Sequence, residues 1–317
     1  MTAGAVSLRL AARARAKVNL TLAVVGRRAD GYHELDSIFL RIGLADQLSV
    51  EVAPHARPSD DPEADRLSVL GDEAARCPPA TNLVLRASRL LRSHALRPLP
   101  PLAWTLHKRV PVAAGLGGGS SDAALALELA VTAWGQGLTQ GERLALAAEL
   151  GSDVPFFAAD VPAARVTGRG EHLAPLPAPA GGPGLLLAVL PGGLATRAVF
   201  AAYDELETGG GSARGATADL AARLAEGADG ALLAAAAPQL RDANDLLPAA
   251  LAARPELAEL RAALERRLDV PFLLSGSGPT LLALYASSEE AVAALESLAG
   301  ERTALPAGIR LEATSAA

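Results

Sequence analysis

The chain has 317 residues, half of them hydrophobic and a fifth charged, with a net charge of −6. That is enough sequence for one large or two medium domains with their cores, and the acidic balance argues against nucleic acid as the main partner while leaving room for a local anion site. No apolar run reaches the roughly 18 residues of a membrane span, and the lone cysteine, Cys77, excludes an internal disulfide and argues against a cysteine metal site; a cytoplasmic protein with no membrane partner is expected.

No acidic residue precedes Asp30. An Arg-rich, acid-poor start can mark a transit peptide, but residues 16 to 25 already read as a core strand, and Arg9, Arg13 and Arg15 break the apolar pieces before it. In KVNLTLAV, 17 to 24, Val18, Leu20, Leu22 and Val24 share one face, with Lys17, Asn19 and Thr21 on the other; that period of two predicts a strand, with Lys17 and Asn19 about 7 Å apart. The Asp-Gly of RRADGYH predicts a turn. IFLRIGLADQLSVEV predicts two further strand segments, and residues 53 to 66 an exposed loop. Asn82 or Thr81 can cap a helix over 83 to 96. LAWTLHKRV, 102 to 110, predicts a strand, followed by a helix from Ser120 or Ser121 and another over 140 to 150. PLPAPAGGPG at 175 to 184 is the expected domain junction, and LLLAVLP opens the second half as a buried strand. Alanine-rich helices fill roughly 217 to 268 after GGGSARG at 209 to 215, residues 270 to 286 predict strand–turn–strand, and a helix over 288 to 299 and a strand near 308 to 312 close the chain. Strands and helices mix without strict alternation, which favours an α+β fold.

Of the 29 basic residues only Lys17 and Lys108 are lysine. Either this is chance or the two positions need a compact ammonium rather than a planar guanidinium. The densest signal is VPVAAGLGGGSSDAALALELA at 110 to 130, with Gly115, Gly117, Gly118, Gly119, Ser120 and Ser121 close together. It is no Walker loop, because no lysine ends it. Nor is it a dinucleotide fingerprint, because Ser120 stands where the third glycine belongs and no acid ends a second strand beyond it. Glycines let successive amides converge on an anion, and the following helix N-terminus adds positive potential. A tight strand-to-helix turn needs fewer of them, and each costs unfolded-state entropy, so phosphate binding is favoured.

PVAAGLGGGSSDAA resembles the phosphate loop of the GHMP kinases, the galactokinase, homoserine, mevalonate and phosphomevalonate kinase superfamily. AKVNLTLAVVGRRADGYHELDSIF, GSDVPFF and SGSGPT at 275 to 280 narrow the resemblance to the branch acting on a cytidine diphosphate-linked methylerythritol. The resemblance implies two domains, 1 to 180 like the second domain of ribosomal protein S5 and binding ATP, and 181 to 317 ferredoxin-like, with the active site in the cleft between them. It implies transfer of the γ-phosphoryl of ATP to the substrate's 2-hydroxyl, with Mg²⁺ carried by the ATP and no protein side chain assigned to a metal.

The resemblance also assigns roles, each with a plainer competitor. Asp153 becomes the catalytic base, where an Asp two residues before Pro155 is also a good helix cap. Lys17 would sit close to Asp153, keep it ionised and offset charge at the reacting oxygens; its competitor is a snorkelling surface lysine. Asn19 would bond the substrate near its hydroxyl, or be an edge-strand polar residue. Tyr32 would stack on cytosine and His33 bond its edge, and Phe200 would supply the second stacking face or simply pack in the core. Pro111, Val112, Ala113, Ala114, Gly115, Leu116, Gly117, Gly118, Gly119, Ser120 and Ser121 would wrap the phosphates, with Lys108 and Asn82 near the nucleotide and Asn82 equally a helix cap. Ser275 to Thr280, with Ser275 and Gly276 at the substrate, would add a second backbone cradle, or form a hairpin turn. The rival readings are another GHMP kinase, of homoserine or mevalonate type, and a ligand sensor on the same fold; Tyr32 and His33 speak against the first, and the presence of Asp153 and Lys17 against the second.

Overall fold

In the computed structural model, which describes residues 8–53, 56–206, 210–298 and 305–317, two 20-residue strands open the chain: β1, Leu8–Arg27, and β2, His33–Val52, which pair with each other. Both are longer than their hydrophobic patterns. The first residues of β1 are mostly exposed, so Arg and Ala alternate there without an apolar face to read. β2 is one strand rather than two segments and runs through Gly43, where an added Cβ would come within 3.1 Å of Thr314 Oγ1. Glycine here marks close approach rather than a break.

The chain forms two compact units, and β1 and β2 each run through both. One unit holds residues up to Ala16, Ala45–Val112 and Gly117–Asp160. In it β2 pairs antiparallel with β4, Leu102–His107, from Gln47 opposite His107 to Val52 opposite Leu102, and β4 pairs parallel with β3, Arg66–Leu70. Leu102, Trp104 and Leu106 form the buried face of β4, as their alternation requires. Helix α1, Leu83–Ser93, starts where the Asn82 side chain accepts the Val84 amide at 3.0 Å and ends short of residue 96. It packs on α2, Gly118–Trp134, which also meets α3, Gln140–Leu150, and α4, Val154–Ala158. A reciprocal Thr139–Glu142 box caps α3.

The other unit holds Lys17–Leu44, Ala113–Leu116 and Val161–Ala317. Here the first part of β2 pairs antiparallel with β5, Ala163–Gly168, and β5 with β6, His172–Leu176. A second, four-stranded sheet runs in the order β10, β7, β9, β8: Arg310–Ser315, Gly184–Val189, Thr280–Tyr285 and Leu273–Leu274, every pairing antiparallel. β7 is buried throughout, as a central strand covered on both faces should be. Six helices accompany it: α5 Thr196–Glu205, α6 Arg214–Ala225, α7 Gly230–Leu240, α8 Leu247–Ala253, α9 Glu256–Leu268 and α10 Ser288–Ser297. Leu186, Ala188, Leu260, Leu264, Phe272 and Leu281 centre the apolar core.

The expected α+β class holds. Residues 54, 55, 209 and 299, within the expected 53–66 loop, GGGSARG stretch and last helix, lie outside the described residues, as do the first seven of the basic N-terminus. Among the described residues no helix is long and apolar enough to cross a membrane.

Candidate active site

The glycine run is folded by three left-handed residues: Ala113 at φ 55°, Gly115 at 75° and Gly117 at 67°. Its carbonyls are tied down one by one. Ala113 O accepts from Leu194 N at 2.9 Å, Ala114 O from Thr280 Oγ1 at 2.6 Å, Gly115 O from Ser275 Oγ at 2.9 Å and Leu116 O from Lys17 N at 3.0 Å. By contrast, among the described residues no protein acceptor receives the amides from Ala114 through Ser120. Carbonyls held by protein and a continuous run of uncommitted amides are what a backbone anion cradle requires.

The four glycines serve different ends. A Cβ at Gly115 would stand 2.3 Å from Ser275 O, and one at Gly118 2.8 Å from Val110 Cγ1, so both permit close packing. Gly117 supplies the left-handed turn and ends the preceding chain, so α2 begins at Gly118 rather than at Ser120 or Ser121. Neither serine therefore caps the helix; the Ser121 hydroxyl donates to Arg15 O at 2.7 Å instead. A Cβ at Gly119 would meet only Leu83 Cδ1, at 3.8 Å. Nothing in the protein itself demands glycine there.

Lys108, 3% exposed, is clamped by Asp46 and by Asp122 Oδ2, the latter at 2.8 Å. Asp46 also accepts the Arg109 and Val110 amides, at 2.5 and 2.8 Å. The Lys108 backbone is fixed by its bond to Leu70 O at 2.7 Å and by Gly71, whose Cβ would lie 2.4 Å from Lys108 O. Burial opposes the Lys108 charge, but the two carboxylates outweigh it and hold its pKa up. Burial pushes Asp122 up to about 7 against the pull of Lys108, with Asp46 adding to the rise.

Lys17 is buried at 4% exposure, so it is no snorkelling lysine. Its ammonium donates to Asn19 Oδ1 at 2.6 Å and lies 4.3 Å from the centre of the Phe39 ring. Asn19 is equally buried: its Nδ2 donates to Ser37 Oγ at 2.8 Å and its amide to Ser275 Oγ at 3.2 Å. Ser37 in turn donates to Thr21 O at 2.5 Å. The polar face of β1 read from the sequence is thus an interior, fully bonded face. Asp153 stands at the N-cap position of α4 but in an αR conformation with no side-chain cap bond, so helix capping does not account for an aspartate there.

Ser275 and Gly276 lie in the turn of the β8–β9 hairpin, where Gly276 takes φ 56° and Gly278 φ 78°. Asn244 Nδ2 donates to Leu274 O and Gly276 O, both at 2.9 Å, and fixes the turn's shape. The Ser275 hydroxyl is committed to Gly115 O and the Asn19 amide, so this turn locks the glycine loop.

After the β1–β2 turn, His33 stacks on Phe200, with centroids 4.8 Å apart and planes 20° from parallel, and meets Tyr203 edge-on at 5.8 Å. His33 Nε2 lies 2.7 Å from Asp204 Oδ1. Phe200 also packs against the apolar core, as the plainer reading of that residue expects. Tyr32 remains 54% exposed, with the Arg169 guanidinium 5.1 Å from its ring centre. Positive φ at Gly31 and the bond from Tyr32 N to Asp30 Oδ1, 3.1 Å, shape this turn.

Several participants escaped sequence reasoning: Asp46, Asp122 as a partner of Lys108, the Thr280 hydroxyl as a partner of the glycine loop, Asn244, Arg169 and Asp204. Asp46 had a visible signal: it continues the buried face of Leu44, Leu48 and Val50, as Lys108 continues that of Leu102, Trp104 and Leu106. A lone charge on the apolar face of each of two strands asks for its opposite on the other.

The family model described as the GHMP kinases N terminal domain matches residues 82–164, and GHMP kinases C terminal matches 221–302. The 4-diphosphocytidyl-2-C-methyl-D-erythritol kinase of Streptomyces avermitilis is 40% identical over 294 residues, covering 92% of this chain and 93% of its own. The enzyme of the same name from Thermobifida fusca is 42% identical over 285 residues, covering 88% of each chain. A crystal structure of 4-(cytidine 5'-diphospho)-2C-methyl-D-erythritol kinase superposes with a TM-score of 0.69 at 32% identity, covering 96% of this chain and 98% of that one.

Proposed function

The chain belongs to the GHMP kinase family, and on that premise we propose that it phosphorylates the 2-hydroxyl of 4-diphosphocytidyl-2-C-methyl-D-erythritol with ATP, a step of non-mevalonate isoprenoid precursor synthesis. The observation that carries the choice within the family is the aromatic group Tyr32, His33 and Phe200, which suits a substrate with a nucleobase and has no task with homoserine or mevalonate. His33 Nε2 donates to Asp204, which in the neutral imidazole leaves Nδ1 as an acceptor. That acceptor matches an exocyclic amine such as the 4-amino group of cytosine and mismatches the carbonyl of uracil.

Asp153 is the base. It takes the hydroxyl proton as that oxygen bonds to the γ-phosphorus and the bond from phosphorus to the bridging oxygen of ADP breaks. The tertiary hydroxyl is a poor, crowded nucleophile, so orientation carries much of the rate. Lys17 stabilises the charge developing on the transferred group, held in one rotamer by Asn19 and Phe39. The amides of 114 to 120 receive the nucleotide phosphates, supported by α2. Mg²⁺ would come with the ATP and would neutralise phosphate charge, with no side chain of this chain assigned to hold it. The division into an ATP-binding part, 1 to 180, and a second part, 181 to 317, and a cytoplasmic setting belong to the same reading.

A coupled ADP-release assay with the cytidine-linked substrate, homoserine and mevalonate tests this. Turnover of the cytidine substrate alone is expected; turnover of homoserine or mevalonate in its place overturns the assignment.

A further inference from the structure

Asp46, Lys108 and Asp122 form a closed charge cluster in which every side chain is at most 3% exposed. Two carboxylates share one ammonium, so with all three ionised the cluster is a buried net −1. The three partners are unequal. Asp46 has both oxygens satisfied, one by the Arg109 and Val110 amides and the other by Lys108. Asp122 Oδ2 has only Lys108, and Asp122 Oδ1 is buried with no hydrogen-bond partner among the described residues. An ionised carboxylate with an orphaned buried oxygen is costly. The proton of the cluster therefore belongs on Asp122. Asp122 lies in the second turn of α2, and the Lys108 ammonium is 3.0 Å from where a Cβ on Gly118, the helix's first residue, would be. The cluster thus abuts the helix terminus that offers its amides to an anion.

We propose that Asp122 is a positioning residue that carries a proton in the ligand-free protein, keeping the Asp46–Lys108–Asp122 cluster neutral so that the N-terminus of α2 stays positive toward a phosphate chain. The use of that terminus by phosphate rests on the kinase reading above; the location of the proton does not. Ionising Asp122 adds a negative charge inside the first two turns, which offsets the positive potential of that helix end and repels an anion bound there. Anion binding and Asp122 protonation consequently favour each other. Beside the cluster stand Cys77, whose thiol burial pushes up, and Glu73, which accepts the Val112 amide and pairs with Arg76. Of the helices packed on α2, α4 carries no charge. Arg86, Arg89 and Arg92 of α1 bond Glu149 O, Glu63 and Asp65, and in α3 Glu142 bonds Thr139 and Arg143 bonds Glu128.

The folded-state value of Asp122 is raised, so its contribution to stability is present below the unfolded value and is lost as pH rises through about 7. Asp122→Asn, which keeps the shape and removes the titration, should melt higher than wild type above neutrality and lose that advantage toward acid pH. Infrared difference spectra of ligand-free protein with ¹³C-labelled aspartate provide the direct test. A protonated carboxyl band should be present at about pH 5.5, vanish by about pH 8.5 and be missing from Asp122→Asn. Binding of inorganic tripolyphosphate should weaken over that range about fivefold more in wild type than in the variant. A wild-type band that is absent, or equal pH slopes in the two proteins, overturns the proposal. If the variant fails to fold, the wild-type band and its titration still decide. Tripolyphosphate that binds at no pH defeats the phosphate-loop reading, while the carboxyl band still places the proton.

Discussion

The two lysines of this chain have opposite surroundings. Lys108 spends its charge internally, between two carboxylates. Lys17 donates to an amide oxygen and lies over an aromatic face, contacts that fix where its ammonium sits. A buried cation enclosed by carboxylates is a structural element whose removal exposes unpaired charge; one oriented by an amide and a ring is, on the kinase reading proposed above, placed for a developing negative charge. On the proposed reading the same residue type serves architecture in one place and chemistry in the other.

The largest expected effect lies at Asp153. Asp153→Asn should lower kcat by about 10²–10⁴-fold while leaving ATP affinity unchanged; near-normal turnover refutes the base assignment. Next come the lysines themselves. Lys17→Met should cost about 10²–10³-fold in kcat with a small change in melting temperature. Lys108→Met should destabilise by about 3–5 kcal/mol, because the Asp46 carboxylate remains buried without its cation and Asp122 without its partner; thermal melts and steady-state kinetics on both variants separate the two roles. If the pattern is reversed, so is the division of labour.

The glycines offer a finer contrast. Gly115→Ala should unfold or distort the loop, since its Cβ would collide with Ser275 O and its φ is positive. Gly119→Ala should keep or slightly raise stability, by up to about 1 kcal/mol in a helix, yet raise KM for ATP, because the space it enters belongs to the ligand rather than to the protein. Equal behaviour of the two variants would show that Gly119 has only a packing role. The smallest effect is expected at Asp204. Asp204→Asn releases the His33 tautomer and should narrow the preference for the cytosine substrate over its uracil analogue by about tenfold, measured as the ratio of kcat/KM values.

What was legible in the sequence followed local periodicity. The face of Lys17, Asn19 and Thr21 was visible as an alternation, the Asn82 cap as a polar residue before an apolar run, and the glycine loop as an excess no ordinary turn requires. The outer half of β1 was hidden because it is solvated, and β3, β5 and β6 because they are short and flanked by Pro, Gly and charge. The expected start of α2, Ser120 or Ser121, is two or three residues late because serines are better caps than glycine, whereas here Gly117 turns left-handed and sets the boundary itself. Long-range partners were the least legible: Ser275 and Thr280 meet the carbonyls of 115 and 114 only after the second sheet has formed. The charge on the apolar face of β2 and its counterpart on β4 are the exception, since strand pairing places Asp46 one residue beyond the Gln47–His107 pair and level with Lys108.

The product of the reaction is the most direct test of the central claim. Phosphorus–carbon NMR coupling on material made from ATP and the cytidine-linked methylerythritol should place the new phosphoryl group on the oxygen of the tertiary carbon, with one ADP released for each molecule formed. A phosphoryl group on another hydroxyl, or ADP formed without any phosphorylated cytidine product, would contradict it.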